Sequence, residues 1–260
     1  MPVRLSVHRI PEFRGDRIME YLVATDRQLS VGHRWARGQE EDQQRLHRLL
    51  ESGTCALLRH AGLTGGMRVA DVGCGIGLMT LRLAEEVGPS GLVVGLGDDD
   101  DQLARARDTA RHEGRKNLWF EKASPYNTGL PRSSFGIVYA RCLLSRLDRP
   151  WDALAELVSL LEPGGVLVCE ELEAAPETPV TLAGRIPEEL TIRIPTGMPG
   201  RSSPVAARLS HACTQAGLIH VGATFAELGP VLPPSPRGFA PLVSPGLALW
   251  QVWGRRPLAM

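Results

Sequence analysis

Aromatic residues are scarce in this chain, at 5% of 260 residues. No basic stripe interleaved with aromatics runs along it, so a stacking groove for nucleic acid is not expected. Excess charge is absent too: 29 Lys and Arg balance 29 Asp and Glu. That balance removes the electrostatic basis for general binding to nucleic acid or to an anionic membrane. No apolar run reaches the roughly 18 residues a membrane-spanning helix needs. The five cysteines, Cys55, Cys74, Cys142, Cys169 and Cys213, form no C-x-x-C pair. No His, Asp and Glu cluster has ligand spacing, so no metal site is expected. No G-x-S-x-G occurs, which removes a hydrolase nucleophile elbow. Residues 1–10 carry Arg4, His8 and Arg9 without a continuous apolar core. A secretory leader is therefore not expected, and scattered free thiols suit a reducing cytoplasm.

What is present is a core and a rhythm. Hydrophobic residues make up 43% of the chain, enough for one large domain or a domain with a cap. Leu46, Leu49, Leu50, Leu57, Leu58 and Ala61 recur at helical spacing, and Gly62 stops that helix. Strands are then expected at 68–72, 91–96, 118–121, 135–140 and 166–170, with amphipathic helices between them. A helix over 205–216 and strands at 218–225 and 247–253 complete the series. Seven strands alternating with helices predict an α/β fold with a doubly wound, mostly parallel sheet. The domain reading is an N-terminal helical extension or lid over 1–62, a cofactor-binding core over 63–172, a proline-rich cap or substrate insertion over 173–204, and 205–260 returning to the core sheet. Residues 230–245, also rich in proline, read as a surface loop, with a lid or a homodimer contact as the other readings.

The central stretch is Val69-Ala70-Asp71-Val72-Gly73-Cys74-Gly75-Ile76-Gly77. A short apolar strand enters a turn with glycine at alternate positions, and a helix opens behind it. Such glycines let backbone approach a ligand closely, and the helix start offers free N–H groups. The third glycine of the dinucleotide fingerprint is missing, because Leu78 stands there. No Gly-Lys-Ser/Thr follows, so the turn is not a P-loop. Asp71 would repel a pyrophosphate and suits a cationic ligand. The stretch resembles the first motif of the class I S-adenosylmethionine-dependent methyltransferases. Leu161-Glu162-Pro163-Gly164-Gly165 is similar to the turn before that family's fifth strand. The resemblance covers residues 45–172 in register and the rest more loosely.

The resemblance implies a Rossmann-like sheet, S-adenosylmethionine as cofactor, and methyl transfer to a small-molecule acceptor of the secondary-metabolite kind. A second reading is a methyltransferase-fold cyclase or isomerase of natural-product assembly that transfers no methyl group. A third is a non-catalytic binding or partner subunit. By the same resemblance Asp71, Gly73, Cys74, Gly75 and Gly77 form the cofactor loop, and Tyr21 is an aromatic near the cofactor. Three positions depart from the family pattern. Gly97 stands where an acid accepts the ribose hydroxyls, with Asp98 next to it. Ala123 stands where an acid receives the adenine amine, with Ser124 as the nearest polar substitute. Gly136 replaces an acid before the fourth strand. Arg141 lies past the fourth strand on the carboxyl edge, where open α/β sheets bind ligands. Glu170 and Glu171 are expected to end the fifth strand on that same edge, one of them as a base toward the acceptor. His33 and His47 are the histidine candidates, if the N-terminal segment covers the pocket.

Overall fold

A computed structural model describes residues 7–9, 39–174, 204–228 and 247–259. One sheet of eight strands organises them: β1 (Val7–Arg9), β2 (Arg68–Val72), β3 (Leu92–Gly97), β4 (Leu118–Lys122), β5 (Phe135–Arg141), β6 (Leu161–Ala174), β7 (Ile219–Leu228) and β8 (Leu247–Arg255). Their spatial order is β1-β7-β8-β6-β5-β2-β3-β4. The pairs from β4 through β6 are parallel, whereas β8 is antiparallel to β6 and to β7. The seven-stranded doubly wound sheet is thus present. An eighth strand, the three-residue β1, adds antiparallel to β7. Three residues are too few for a periodic pattern to announce.

Sheet alternation sorts side chains onto two faces. Val69, Ile137, Tyr139, Val166 and Val168 pack with α1 (Gln39–His60), α2 (Leu78–Val87) and α3 (Asp100–His112). Ala70, Val72, Val138, Ala140, Leu167 and Cys169 pack with α4 (Pro150–Leu160) and α5 (Pro204–Gln215). Each helix starts where its sequence allows. The Asp99 side chain accepts the Gln102 N–H at 3.0 Å and caps α3. Pro150 opens α4 at a position that needs no donor. Gly77 precedes α2 with φ +79°, and a Cβ there would lie 2.7 Å from Phe120 Cζ and 2.8 Å from Ala106 Cβ. Only glycine lets α2 approach α3 and β4 this closely.

β6 runs longer than its apolar run suggests. It pairs with β8 continuously from Val166↔Arg255 to Ala174↔Leu247. Glu170 and Glu171 are therefore inside the strand rather than at its end, and both are fully buried. The expected cap over 173–204 and the proline-rich 230–245 lie largely or wholly outside the described residues. Among the described residues, no helix is long and apolar enough to cross a membrane.

Candidate functional site: the crevice between β2 and β5

The chain runs β2, β3, β4 outward on one side of the sheet and β5, β6 on the other. The crevice at the carboxyl ends of β2 and β5 is the point where the winding reverses, the ligand position of open α/β sheets. A cleft of about 740 Å³ lies there, within the usual range for small-molecule sites. The glycine turn forms its floor. The N–H groups of Gly73 and Cys74 both donate to the Leu96 carbonyl, at 2.8 and 2.9 Å, and fasten the turn to β3. Gly73, Gly75 and Gly77 all have left-handed φ, at +84°, +57° and +79°. At Gly73 a Cβ would also lie 3.1 Å from Leu143 Cδ1 of the loop after β5. Gln43 of α1 closes the other side: its Oε1 accepts the Ile76 N–H at 3.3 Å.

A polar row crosses the sheet beneath α1. Asp71 is the cross-strand neighbour of Tyr139, Arg141 of Glu170, Glu170 of Gln251, and Gln251 of Thr224. Cross-strand neighbours share a face, so the row spans β2, β5, β6, β8 and β7. The Thr80 hydroxyl donates to Asp71 Oδ2 at 2.6 Å. Asp71 is 2% exposed, and burial pushes its carboxyl up to about 6 against the Thr80 bond and the Arg141 charge. Glu170 accepts from Tyr139 OH at 2.5 Å, Gln251 Nε2 at 2.6 Å and Thr54 Oγ1 of α1 at 2.8 Å. Burial and the Glu170 charge hold the Tyr139 phenol well above its ordinary range.

Arg141 lines the cleft between the two acids of this row. Burial opposes its charge, but Tyr139, Glu170, Cys142 and Asp71 outweigh that and raise its pKa. Its Nη1 is buried without a hydrogen-bond partner among the described residues. An unpaired donor on a desolvated cation is costly, and a ligand carboxylate in the cleft would satisfy it. The expected bases sit elsewhere. Glu170 does not line the cleft, and neutral donors engage both its oxygens, so its position argues against a base. Glu171, on the opposite face, accepts the N–H of Leu144 at 2.8 Å and the Ser145 hydroxyl at 2.6 Å. It caps the 3-10 turn at Leu144–Arg146, and burial still raises its pKa. His47 of α1 is also absent from the cleft wall. Burial and Arg141 lower its pKa, against its weak Glu51 contact at 3.6 Å. Tyr21 and His33 lie outside the described residues.

At the other end of the cleft, Gly97, Asp98, Cys74 and Ala123 all reach the wall. Burial keeps the Cys74 thiol protonated, well above its ordinary pKa. Ser124 does not reach the wall. Its Oγ accepts the Tyr126 N–H at 3.3 Å inside a tight turn, so the polar substitute expected for the adenine acid is spent locally. Tyr126 lines the cleft instead, with the Arg149 guanidinium 4.7 Å above its ring. Gln43, Tyr126, Leu143 and Arg146 are wall residues that sequence reasoning missed. Arg146 is two residues beyond Leu144, in a turn too short for periodicity to reveal. The wall carries Asp71, Asp98, Asp99, Asp100, Asp101 and Asp148 against Lys122, Arg141 and Arg146. That is a formal charge of −3 in a chain whose total is zero. Among the described residues no group of His, Cys, Asp and Glu could hold a metal ion.

Residues 63–194 match the family described as a methyltransferase domain. The chain is 32% identical over 114 residues to the demethylmenaquinone methyltransferase of Lactococcus lactis subsp. lactis (strain IL1403), covering 44% of this chain and 45% of that one. It is 31% identical over 136 residues to the aklanonic acid methyltransferase DauC of Streptomyces sp. (strain C5), covering 51% and 59%. The chain thus spans about half the length of the curated relatives it matches. Among solved structures, that of the [4+2]-cyclase SpnF superposes with a TM-score of 0.58 at 22% identity, over 82% of this chain and 83% of that one.

Proposed function

Since this chain belongs to the methyltransferase-domain family, we propose that it transfers a methyl group from S-adenosylmethionine to a small-molecule acceptor, a secondary metabolite. One observation carries the reading: a left-handed glycine turn at the winding reversal opens onto a cleft whose wall has net negative charge. The cofactor supplies an electrophilic methyl on a sulfonium, and its amino-acid end carries an ammonium and a carboxylate. Asp71 offers an acceptor to the ammonium, and Arg141 Nη1 offers a donor to the carboxylate. The surplus of aspartates suits a ligand of net positive charge. Leu46, Leu143, Leu147 and Leu172 give the remaining wall an apolar side for the acceptor. The names of the relatives, a menaquinone precursor methyltransferase and an aklanonic acid methyltransferase, support an acceptor of that kind.

The protein's part in methyl transfer is alignment. Holding acceptor and methyl about 3–3.5 Å apart removes most of the entropic barrier, and no fixed base is required when the acceptor is itself acidic. This agrees with Glu170 and His47 standing off the cleft. Titration calorimetry with S-adenosylmethionine and S-adenosylhomocysteine tests the reading, and no binding at millimolar ligand would sink it. Gly73→Val, with its Cβ against Leu143 and a φ that β-branched residues avoid, should abolish binding. Unchanged affinity in that variant would remove the turn from the site.

Gly97 favours a second reading, a cyclase or isomerase that keeps the fold without transferring methyl. By the family resemblance Gly97 takes the place of the ribose acid, with Asp98 beside it, and Ala123 that of the adenine acid. Tight cofactor binding with no methylated product across a metabolite panel would promote it.

A further inference from the structure

Glu170 is expensive to bury. It is fully enclosed, and its carboxylate accepts from neutral donors among the described residues: Thr54, Tyr139 and Gln251. Three neutral donors satisfy its lone pairs but leave its charge in place. The nearest cation in the row is Arg141, its direct cross-strand neighbour on β5. The Arg141 charge also acts on Asp71, so one guanidinium serves two acids at this end of the cleft. With both acids ionised the trio carries one surplus negative charge, placed just behind the wall that Tyr139 and Arg141 form.

We propose that Glu170 is a selectivity residue: its charge favours a sulfonium-bearing cofactor over the neutral thioether left after methyl transfer, and so helps the product leave. This rests on the methyltransferase reading above. The physical basis is that the two ligands share their ribose, base, ammonium and carboxylate and differ by one methyl and one positive charge. A contact with the shared parts acts on both alike. A fixed buried charge acts on the difference, because low polarity around it carries its field further than water would.

The test is calorimetry of S-adenosylmethionine and S-adenosylhomocysteine at pH 8, where Asp71 is ionised in every variant. Glu170→Gln keeps the side-chain shape and removes the charge. The expected result is a preference for S-adenosylmethionine over S-adenosylhomocysteine that falls about fivefold relative to the native protein. Thr54→Val, which removes a donor and keeps the charge, should leave that ratio within twofold. Gln251→Lys places an ammonium beside Glu170 and makes the same test if the glutamine variant does not fold; it too should lower the ratio. A ratio unchanged in both charge-altering variants, with native binding of both ligands intact, overturns this inference and leaves the methyltransferase reading standing. Failure of the native protein to bind either ligand overturns both.

Discussion

The proposed role of Asp71 ties cofactor affinity to pH. Its carboxyl is raised to about 6 by burial, with the Thr80 hydrogen bond and Arg141 pulling the other way. Once protonated, it presents a donor where a ligand ammonium needs an acceptor. At pH 5 about one molecule in eleven retains the carboxylate, so S-adenosylhomocysteine should bind roughly tenfold more weakly than at pH 7.5. The ligand's carboxyl, at about 3.5, titrates below that interval, and its amine, at about 8, only at its upper end. Thr80→Val removes the 2.6 Å bond to the carboxylate. A bond to a charged acceptor is worth about 1.5 kcal/mol, or about one pH unit, so the midpoint should move to about 7. His47 is the nearby group that could titrate in the same interval, and His47→Gln should leave the midpoint in place. Calorimetry from pH 5 to 8 in two buffers of different ionisation enthalpy reads both the midpoint and the proton released on binding. Affinity independent of pH across that range, or a midpoint unmoved in Thr80→Val, refutes the assignment. Stability follows the opposite course. The folded pKa lies above 3.8, so between about 4 and 6 the folded chain holds more protons than the unfolded one. The contribution is fully present at the acid side and is lost as pH rises through about 6, to the extent of about 3 kcal/mol.

Other perturbations separate the remaining parts of the site. Gly97→Asp puts a carboxylate at the position proposed for the ribose, its Cβ 3.3 Å from Leu103 Cδ2, so Leu103 must give slightly. The expected gain in S-adenosylhomocysteine affinity is about tenfold by calorimetry, and no gain would show that Asp98 already fills the role. Glu171→Ala uncaps the turn at Leu144–Arg146 and orphans the buried N–H of Leu144. It should cost about 2–4 kcal/mol in urea unfolding and speed hydrogen exchange at Leu143 to Ser145; unchanged protection there would remove the capping role. Cys142 is held at φ +51° on the cleft wall, and burial raises its thiol to about 12. Cys142→Gly should recover about 1 kcal/mol of backbone strain, offset by the loss of its packing, and a net loss above about 2 kcal/mol would place the packing first.

The fold was legible because its signals are local. Apolar runs marked β2, β3 and β5, and the glycine turn marked the crevice. The site was legible only where one residue does its work in its own loop. Asp71, Arg141 and Asp98 reach the wall because each follows a parallel strand to its carboxyl end. Glu170 misled for a physical reason. Its place near the end of an apolar run suggested an exposed edge, but antiparallel pairing with β8 extends β6 and draws the carboxylate inward. That partner is some eighty positions away, and nothing near Glu170 announces it. Ser124 misled in the opposite sense, since a turn closing on Tyr126 absorbs its hydroxyl before it can face the cleft. Gln43 and Tyr126 depend on contacts between elements and carry no motif of their own.

The missing acids and the acid-rich wall bear on one another. Gly97 and Ala123 take away two charged acceptors for neutral ligand groups, each worth about 1.5–3 kcal/mol. A unit charge pair about 5 Å apart contributes about 3 kcal/mol at the polarity typical of such sites. The surplus charge of Asp71 and the aspartates beside α3 acts in the opposite direction to those losses. The means differ, however. A ribose acid recognises shape and is blind to the methyl on sulfur, whereas a field recognises charge and responds to its removal. Recognition at the ribose would hold cofactor and product alike. Recognition by charge weakens when the methyl leaves, so substitutions that look like damage to the cofactor site also loosen its hold on the spent product.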